Sequence, residues 1–132
     1  MRRKEAREKV MHLLFQMDAH NEYSNDFLNR NIDDSSMEGN QADYIKNIAI
    51  LYITNKDKID HIIEENSKDW KLNRIAKVDL AILRVAITEI YYFNDIPHSV
   101  SINEAVELAK TFSTEESGSF INGILGNIAK VM

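Results

Sequence analysis

No cysteine occurs among the 132 residues. That excludes disulfides, thiolate metal sites and thiol catalysis, and it fits a reducing cytoplasm. Proline appears once and glycine four times, which is little punctuation for a protein of many short strands and turns. No apolar run approaches the roughly 18 residues of a membrane span, and no charged n-region leads into an apolar h-region. Neither a membrane helix nor a signal peptide is expected. A Gly-rich phosphate loop and a nucleophile elbow are also missing. The histidines, His12, His20, His61 and His98, are not paired with one another at i,i+4 and are read as lacking a carboxylate at ligand spacing, which sets a metal site aside. No spacing brings a nucleophile, base and orienting group together, so neither an enzyme nor a cofactor is expected.

What is present describes an ordinary globular chain, with 44% hydrophobic and 28% charged residues. Its length suits one domain over residues 1–132 and a substantial core. The net charge of −5 is unevenly spread. The opening "MRRKEAREK" sets Arg2, Arg3, Lys4, Arg7 and Lys9 against Glu5 and Glu8, a local balance of +3 in an otherwise acidic chain.

Helical periodicity runs through most of the sequence. A first helix is predicted from Arg3 to Ala19, with Ala6, Val10, Leu13, Leu14 and Met17 as its buried stripe. Met11 and Phe15 fall off that stripe and are candidates for a second, partly exposed contact. A short helix over Tyr23–Asn31 precedes a polar stretch, Asp33–Gln41, that reads as a surface loop. Further helices are predicted over Asp43–Thr54 and Lys56–Glu65. The segment Ile75–Phe93 is apolar over more than half its circumference and should be the central helix, with Pro97 after its end. Ser101 and Glu104 have capping-box spacing, with Val100 and Ala105 at the staple positions, and "STEE" (113–116) repeats the box. The expected fold is all-α, six or seven helices with no strand.

The final segment "SFINGILGNI" tests that expectation, because Asn-Gly is also a hairpin signal. Alternation fails on both sides of the pair. At helical spacing Phe120, Ile121, Ile124, Leu125, Ile128, Ala129, Val131 and Met132 fill one arc, so a helix is predicted. The opposite arc holds Gly123 and Gly126, with Asn122 at its border. Each mid-helix glycine costs roughly 1 kcal/mol against alanine. Either the bare strip admits another chain closely, or glycine merely occupies a solvent face; periodicity leaves both open.

Other residues stand out chemically. Asp79 and Glu89 project into the apolar arc of the central helix, where a carboxylate needs a partner. For Glu89 that suggests capping or an ion pair with a neighbouring helix; for Asp79, the same or an exposed interface role. Cations at a helix N-terminus oppose the macrodipole, yet five of the chain's basic residues gather there. Arg3 and Arg7 share a face at i,i+4, a spacing suited to clamping phosphates. A second group, Lys68, Lys71, Arg74 and Lys77, surrounds Trp70. Trp70 is either a core residue or a stacking platform, and charge with an aromatic platform is how single strands are held.

Four ordered blocks carry a resemblance over nearly the whole chain: "RRKEAREKVMHLLF", "WKLNRIAKVDLAILRVAITEI", "IPHSVSINEAVELAKTF" and "SGSFINGILGNI". Together they resemble the NusB family of bacterial transcription antitermination factors. The resemblance implies an all-α domain of two three-helix halves, without catalysis. It implies binding of the boxA element of nascent ribosomal RNA as a single strand, together with a small-subunit ribosomal protein (NusE). The pair would join the RNA polymerase elongation complex with other Nus factors. By the same resemblance the RNA-binding residues are Arg2, Arg3, Lys4, Arg7, Phe120, Asn122 and Gly123, with Trp70, Lys71 and Arg74 added because the basic arm is shorter than in some members. Phe15 and Asp79, with Met11, are expected at the ribosomal-protein interface. A related domain precedes the catalytic part of an rRNA cytosine methyltransferase, but no cofactor motif occurs here. Two other readings are a protein-only helical interaction module and a homodimer that buries the same surface.

Overall fold

The computed structural model describes residues 2–32, 40–68 and 70–132. Among them are seven α-helices and no strand: α1 (Arg3–His20), α2 (Asn25–Asn31), α3 (Asn40–Thr54), α4 (Lys56–Asn66), α5 (Lys77–Tyr92), α6 (His98–Phe112) and α7 (Glu115–Lys130). A single 3-10 turn, Leu72–Arg74, lies between α4 and α5.

The helix ends follow from local chemistry. Asn21 adopts a left-handed conformation (φ 50°) and closes α1. Ser24 then caps α2, its hydroxyl accepting the Phe27 N–H at 3.1 Å. Two predicted caps shift. Pro97 stands at the N-cap of α6, so the helix starts four residues earlier than the Ser101 capping box would place it, and the Ser101 hydroxyl is free for another use. Thr114, not Ser113, caps α7 by accepting the Ser117 N–H at 3.0 Å. Of the predicted surface loop, residues 33–39 lie outside the described residues, while Asn40 and Gln41 already belong to α3.

α5 is the axis of the fold. All residues from Asp79 to Ile90 are buried, because α1, α3, α4, α6 and α7 all pack on it. α1, α2 and α3 pack on one another on one side, and α6 and α7 form a helical hairpin on the other; α4 bridges α3, α5 and α7. At Gly118 an added Cβ would come within 3.3 Å of Lys110 Cγ, so the hairpin is close-fitting there.

α1 lies antiparallel along α5, as two ion-paired contacts show. Arg7 meets Glu89 near the C-terminal end of α5, and Asp18 meets Lys77 and Arg84 nearer its start. The predicted stripe of α1 is buried, and so is Met11 (1% exposed), against the expectation that it stands partly free. Helix neighbours on several sides widen the buried arc beyond the stripe. Phe15 is half-buried and packs against the core. The apolar arc of α7 ends at Ile128, since Val131 and Met132 follow the helix and are exposed, which corrects their placement in the arc.

Candidate nucleic-acid interface

The link between α4 and α5 presents an aromatic ring to solvent. Ser67 is buried and turns the chain: its hydroxyl donates to the Trp70 carbonyl at 2.8 Å, and its own carbonyl accepts the Trp70 N–H at 3.1 Å. Lys68, inside this turn, takes a left-handed conformation (φ 55°) that a non-glycine residue adopts at some cost. The Leu72 N–H is held by the Glu64 carboxylate at 2.9 Å. With its backbone fixed this way, Trp70 is 52% exposed, so it is a surface residue and not a core one. Lys68, Lys71 and Arg74 are exposed around it.

Trp70 and Phe120 form a ridge between two open concavities. One, of about 270 Å³, is bordered by Arg74, Asp79, Thr114, Glu116 and Ser117. The other, of about 370 Å³, is bordered by Asn66, Lys68, Ser119, Gly123 and Asn127. Asn122 and Gly123 are exposed, and a Cβ added at Gly123 or Gly126 would meet no heavy atom within 4 Å. Among the described residues no packing demands the glycines of this strip.

Asp79 sits in the first turn of α5, where a negative charge is favoured by the helix dipole. It is nonetheless buried (5% exposed), and its Oδ1 has no hydrogen-bond partner among the described residues. A buried acceptor without a donor is costly, on the order of 1–3 kcal/mol. Asp79 lines the smaller of the two concavities.

The basic tip of α1 divides into two sets. Arg2, Lys4 and Lys9 are exposed. Arg3 lies over the Tyr44 ring, 4.1 Å from its centroid, and donates through Nε to Gln41 Oε1 at 2.8 Å. Arg7 is buried and donates to Glu89 through Nε at 3.0 Å and Nη2 at 2.7 Å. The expected Arg3–Arg7 phosphate clamp is thus not formed. Their shared face is the inner one, and α3 and α5 supply acceptors and a ring that hold both. Burial disfavours the Arg7 charge, but hydrogen bonding and attraction from Glu89 outweigh it and hold its pKa above the ordinary arginine value. Burial likewise raises Glu89, while donors from Arg7, Tyr44 and Ser101 bring it below the ordinary carboxylate range. Glu89 therefore makes the inter-helix ion pair its position suggested.

Sequence reasoning passed over Arg84, although a cation within "AILRVA" is as conspicuous as Glu89. It donates to Asp60 on α4 and Asp18 on α1, and the Tyr23 and Tyr52 rings lie beside it. It also missed Glu65, four residues after His61 and 2.9 Å from its Nε2. That pair is exposed, and no group of three metal-binding side chains occurs among the described residues.

The basic tip and the Trp70 ridge lie at opposite ends of α5. Asp79 and Glu89 mark the two ends and are ten residues apart, roughly 15 Å at 1.5 Å per residue.

Comparison with known proteins places this geometry. The NusB family model matches residues 4–130. The transcription antitermination protein NusB of Alkaliphilus oremlandii is 50% identical over 126 residues, covering 96% of this chain and 91% of that protein. A solved structure of NusB from T. maritima superimposes with a TM-score of 0.90 at 34% identity, covering 98% of this chain and 92% of that one. The fold also matches, with a TM-score of 0.86 at 24% identity, a NusB solved with NusE and double-stranded RNA; 98% of this chain and 97% of that one are covered. No helix among the described residues is long and apolar enough to cross a membrane. With five helices packed on α5 and a family match from residue 4 to residue 130, this chain belongs to the NusB family.

Proposed function

We propose that the chain is a transcription antitermination factor. It holds the boxA element of nascent ribosomal RNA as a single strand in company with NusE, and helps the RNA polymerase elongation complex, with other Nus factors, to pass terminators. Residues 1–132 act as one RNA-binding domain in the cytoplasm, and no step is catalytic. The observation that carries this reading is the exposed Trp70 ring, set among Lys68, Lys71 and Arg74 and sharing a concavity with Phe120 and the bare Gly123. An unpaired base stacks on such a ring while cations hold the flanking phosphates. The relatives named for antitermination, and the similar fold found with NusE and RNA, support it.

In this reading Arg2 and Lys4 reach phosphates from the tip of α1, with Arg3 beside them, and Arg7 supports from within. Phe120, Asn122 and Gly123 border the strand next to Trp70, whose neighbours Lys71 and Arg74 neutralise phosphates. Phe15 and the unpartnered Oδ1 of Asp79 receive the ribosomal protein; Met11 contributes from beneath.

The test is an RNA-binding isotherm on a labelled boxA oligonucleotide across a salt series, with and without NusE. Affinity should fall with salt by about 0.7 log units per phosphate contact. Charge reversal at Arg2 and Lys4 should flatten that slope. Isotherms indistinguishable from those of the unaltered chain would remove the tip from the interface. Absence of any shift, with or without NusE, would instead support a protein-only interaction module.

A further inference from the structure

Four hydrogen bonds from three helices converge on one buried carboxylate. Glu89 on α5 is 1% exposed and accepts from Arg7 Nε and Nη2 on α1 at 3.0 and 2.7 Å. It also accepts from the Tyr44 hydroxyl on α3 at 2.5 Å and the Ser101 hydroxyl on α6 at 2.7 Å. Replacing a buried ion pair by well-packed apolar groups is often neutral or stabilising, so stability alone is a weak reason for this cluster. Its geometry offers another.

Both acceptor-linked groups lead back to the tip of α1. Arg7 is one turn from Arg3, and Arg3 rests on the ring of the same Tyr44 whose hydroxyl is fixed by Glu89. Beyond this tether the tip is held by the Arg3 Nε bond to Gln41 Oε1 at 2.8 Å. Arg2 makes no side-chain cap, and the clustered cations oppose the helix dipole. Without the tether through Tyr44 and Arg7, the first turn keeps only the Gln41 bond and is expected to fray more. Held by it, the turn directs Arg3 and Arg7 inward and leaves Arg2 and Lys4 exposed on an already helical backbone.

We infer that Glu89 is a positioning residue for RNA. Through Arg7 and Tyr44 it orders the first turns of α1 before RNA arrives, so that Arg2 and Lys4 bind phosphates without an ordering cost at that moment. The inference rests on the proposal that Arg2 and Lys4 touch RNA, and it assigns no RNA contact to Glu89 itself.

A double-mutant cycle on the full chain separates the two. The first change is Glu89→Gln, which keeps the shape and drops the charge. Tyr44→Phe serves as a gentler second variant, since it keeps the ring under Arg3 and loses only the hydroxyl. Each is placed in the unaltered chain and in an Arg2→Ala/Lys4→Ala chain. Affinity for a boxA oligonucleotide in the presence of NusE is read beside hydrogen exchange of the first α1 amides. Each change should weaken binding at least several-fold in the unaltered chain and speed exchange in that first turn, and the weakening should vanish where Arg2 and Lys4 are absent. Equal weakening in both backgrounds, or none in the first, overturns the positioning role while leaving the RNA contacts standing. If Arg2→Ala/Lys4→Ala alone leaves affinity unchanged, the RNA assignment of the tip falls and the inference with it. If Glu89→Gln fails to fold, Tyr44→Phe decides by the same two outcomes.

Discussion

Arg84 grips Asp60 with two bonds of equal length, Nε to Oδ1 and Nη2 to Oδ2 at 3.0 Å each, and so ties α5 to α4. Its Nη1 extends to Asp18 on α1 at 3.2 Å. Removing one member of such a buried pair strands the other charge, which costs about 3–5 kcal/mol. Asp60→Ala should therefore lower the thermal midpoint by on the order of ten degrees, as calorimetry would register. Asp60→Asn, which still accepts one bond, should lose less. A midpoint within a degree or two of the unaltered chain for both would show that the grip contributes little.

The two open glycines of α7 make opposite demands on stability and binding. Gly123→Ala and Gly126→Ala meet no neighbouring atom, so each should stabilise the chain by roughly 1 kcal/mol, seen as a raised urea midpoint. If a strand lies against this strip, the same changes should weaken RNA binding. Higher stability with unaltered affinity would mean that the strip is only a solvent face.

Acid should loosen the fold through particular carboxylates. Glu89 and Asp18 both have folded-state pKa values below their ordinary 4.5 and 3.8; burial opposes this, but the donors around each outweigh it. A depressed carboxylate contributes stability that is present above its unfolded value and lost as pH falls through the folded one. Chemical denaturation from pH 7 down to pH 3 should therefore show stability declining below about pH 4.5. In Glu89→Gln the decline should be shallower; a curve of the same steepness would locate the acid sensitivity elsewhere.

Trp70 and Asp79 offer a contrast between binding and folding. Trp70→Ala removes a ring that is half in solvent, so it should change stability little yet weaken RNA binding by about 1–3 kcal/mol, the usual worth of one base–aromatic stack. Asp79→Asn should be neutral or stabilising, because the carboxylate oxygen it alters has no donor among the described residues, and it should weaken capture of NusE. Titration calorimetry with each partner distinguishes the two losses.

How much of this the sequence disclosed depends on the length scale of the signal. The helices and the central place of Ile75–Phe93 followed from apolar periodicity, which reports burial directly. Helix starts were less legible, since Pro97 and Thr114 outcompeted neighbouring serines for the caps through backbone geometry. The inner fate of Arg7 and Met11 was not legible at all. Spacing along α1 shows that Arg3 and Arg7 share a face, but only the acceptors brought by α3 and α5 decide that the face turns inward. Glu89 and Arg84 show the same point from the other side. A charge within an apolar helix signals that a partner exists, and tertiary packing alone names it. Trp70 was undecidable because a tryptophan suits a core as readily as a surface, and a short turn pinned by Ser67 settled the matter.

The antiparallel lie of α1 on α5 turns the central helix into a ruler. In the proposed reading, cations at one end of it and a stacking ring at the other would give the chain two weak handholds, with Asp79 and Glu89 between them some 15 Å apart by helix rise. An oligonucleotide too short to span them gains only one grip. A longer one gains the second at high effective concentration, so affinity rises sharply once the strand reaches across. In that reading the length of α5 would set how long an RNA must be to be held with avidity.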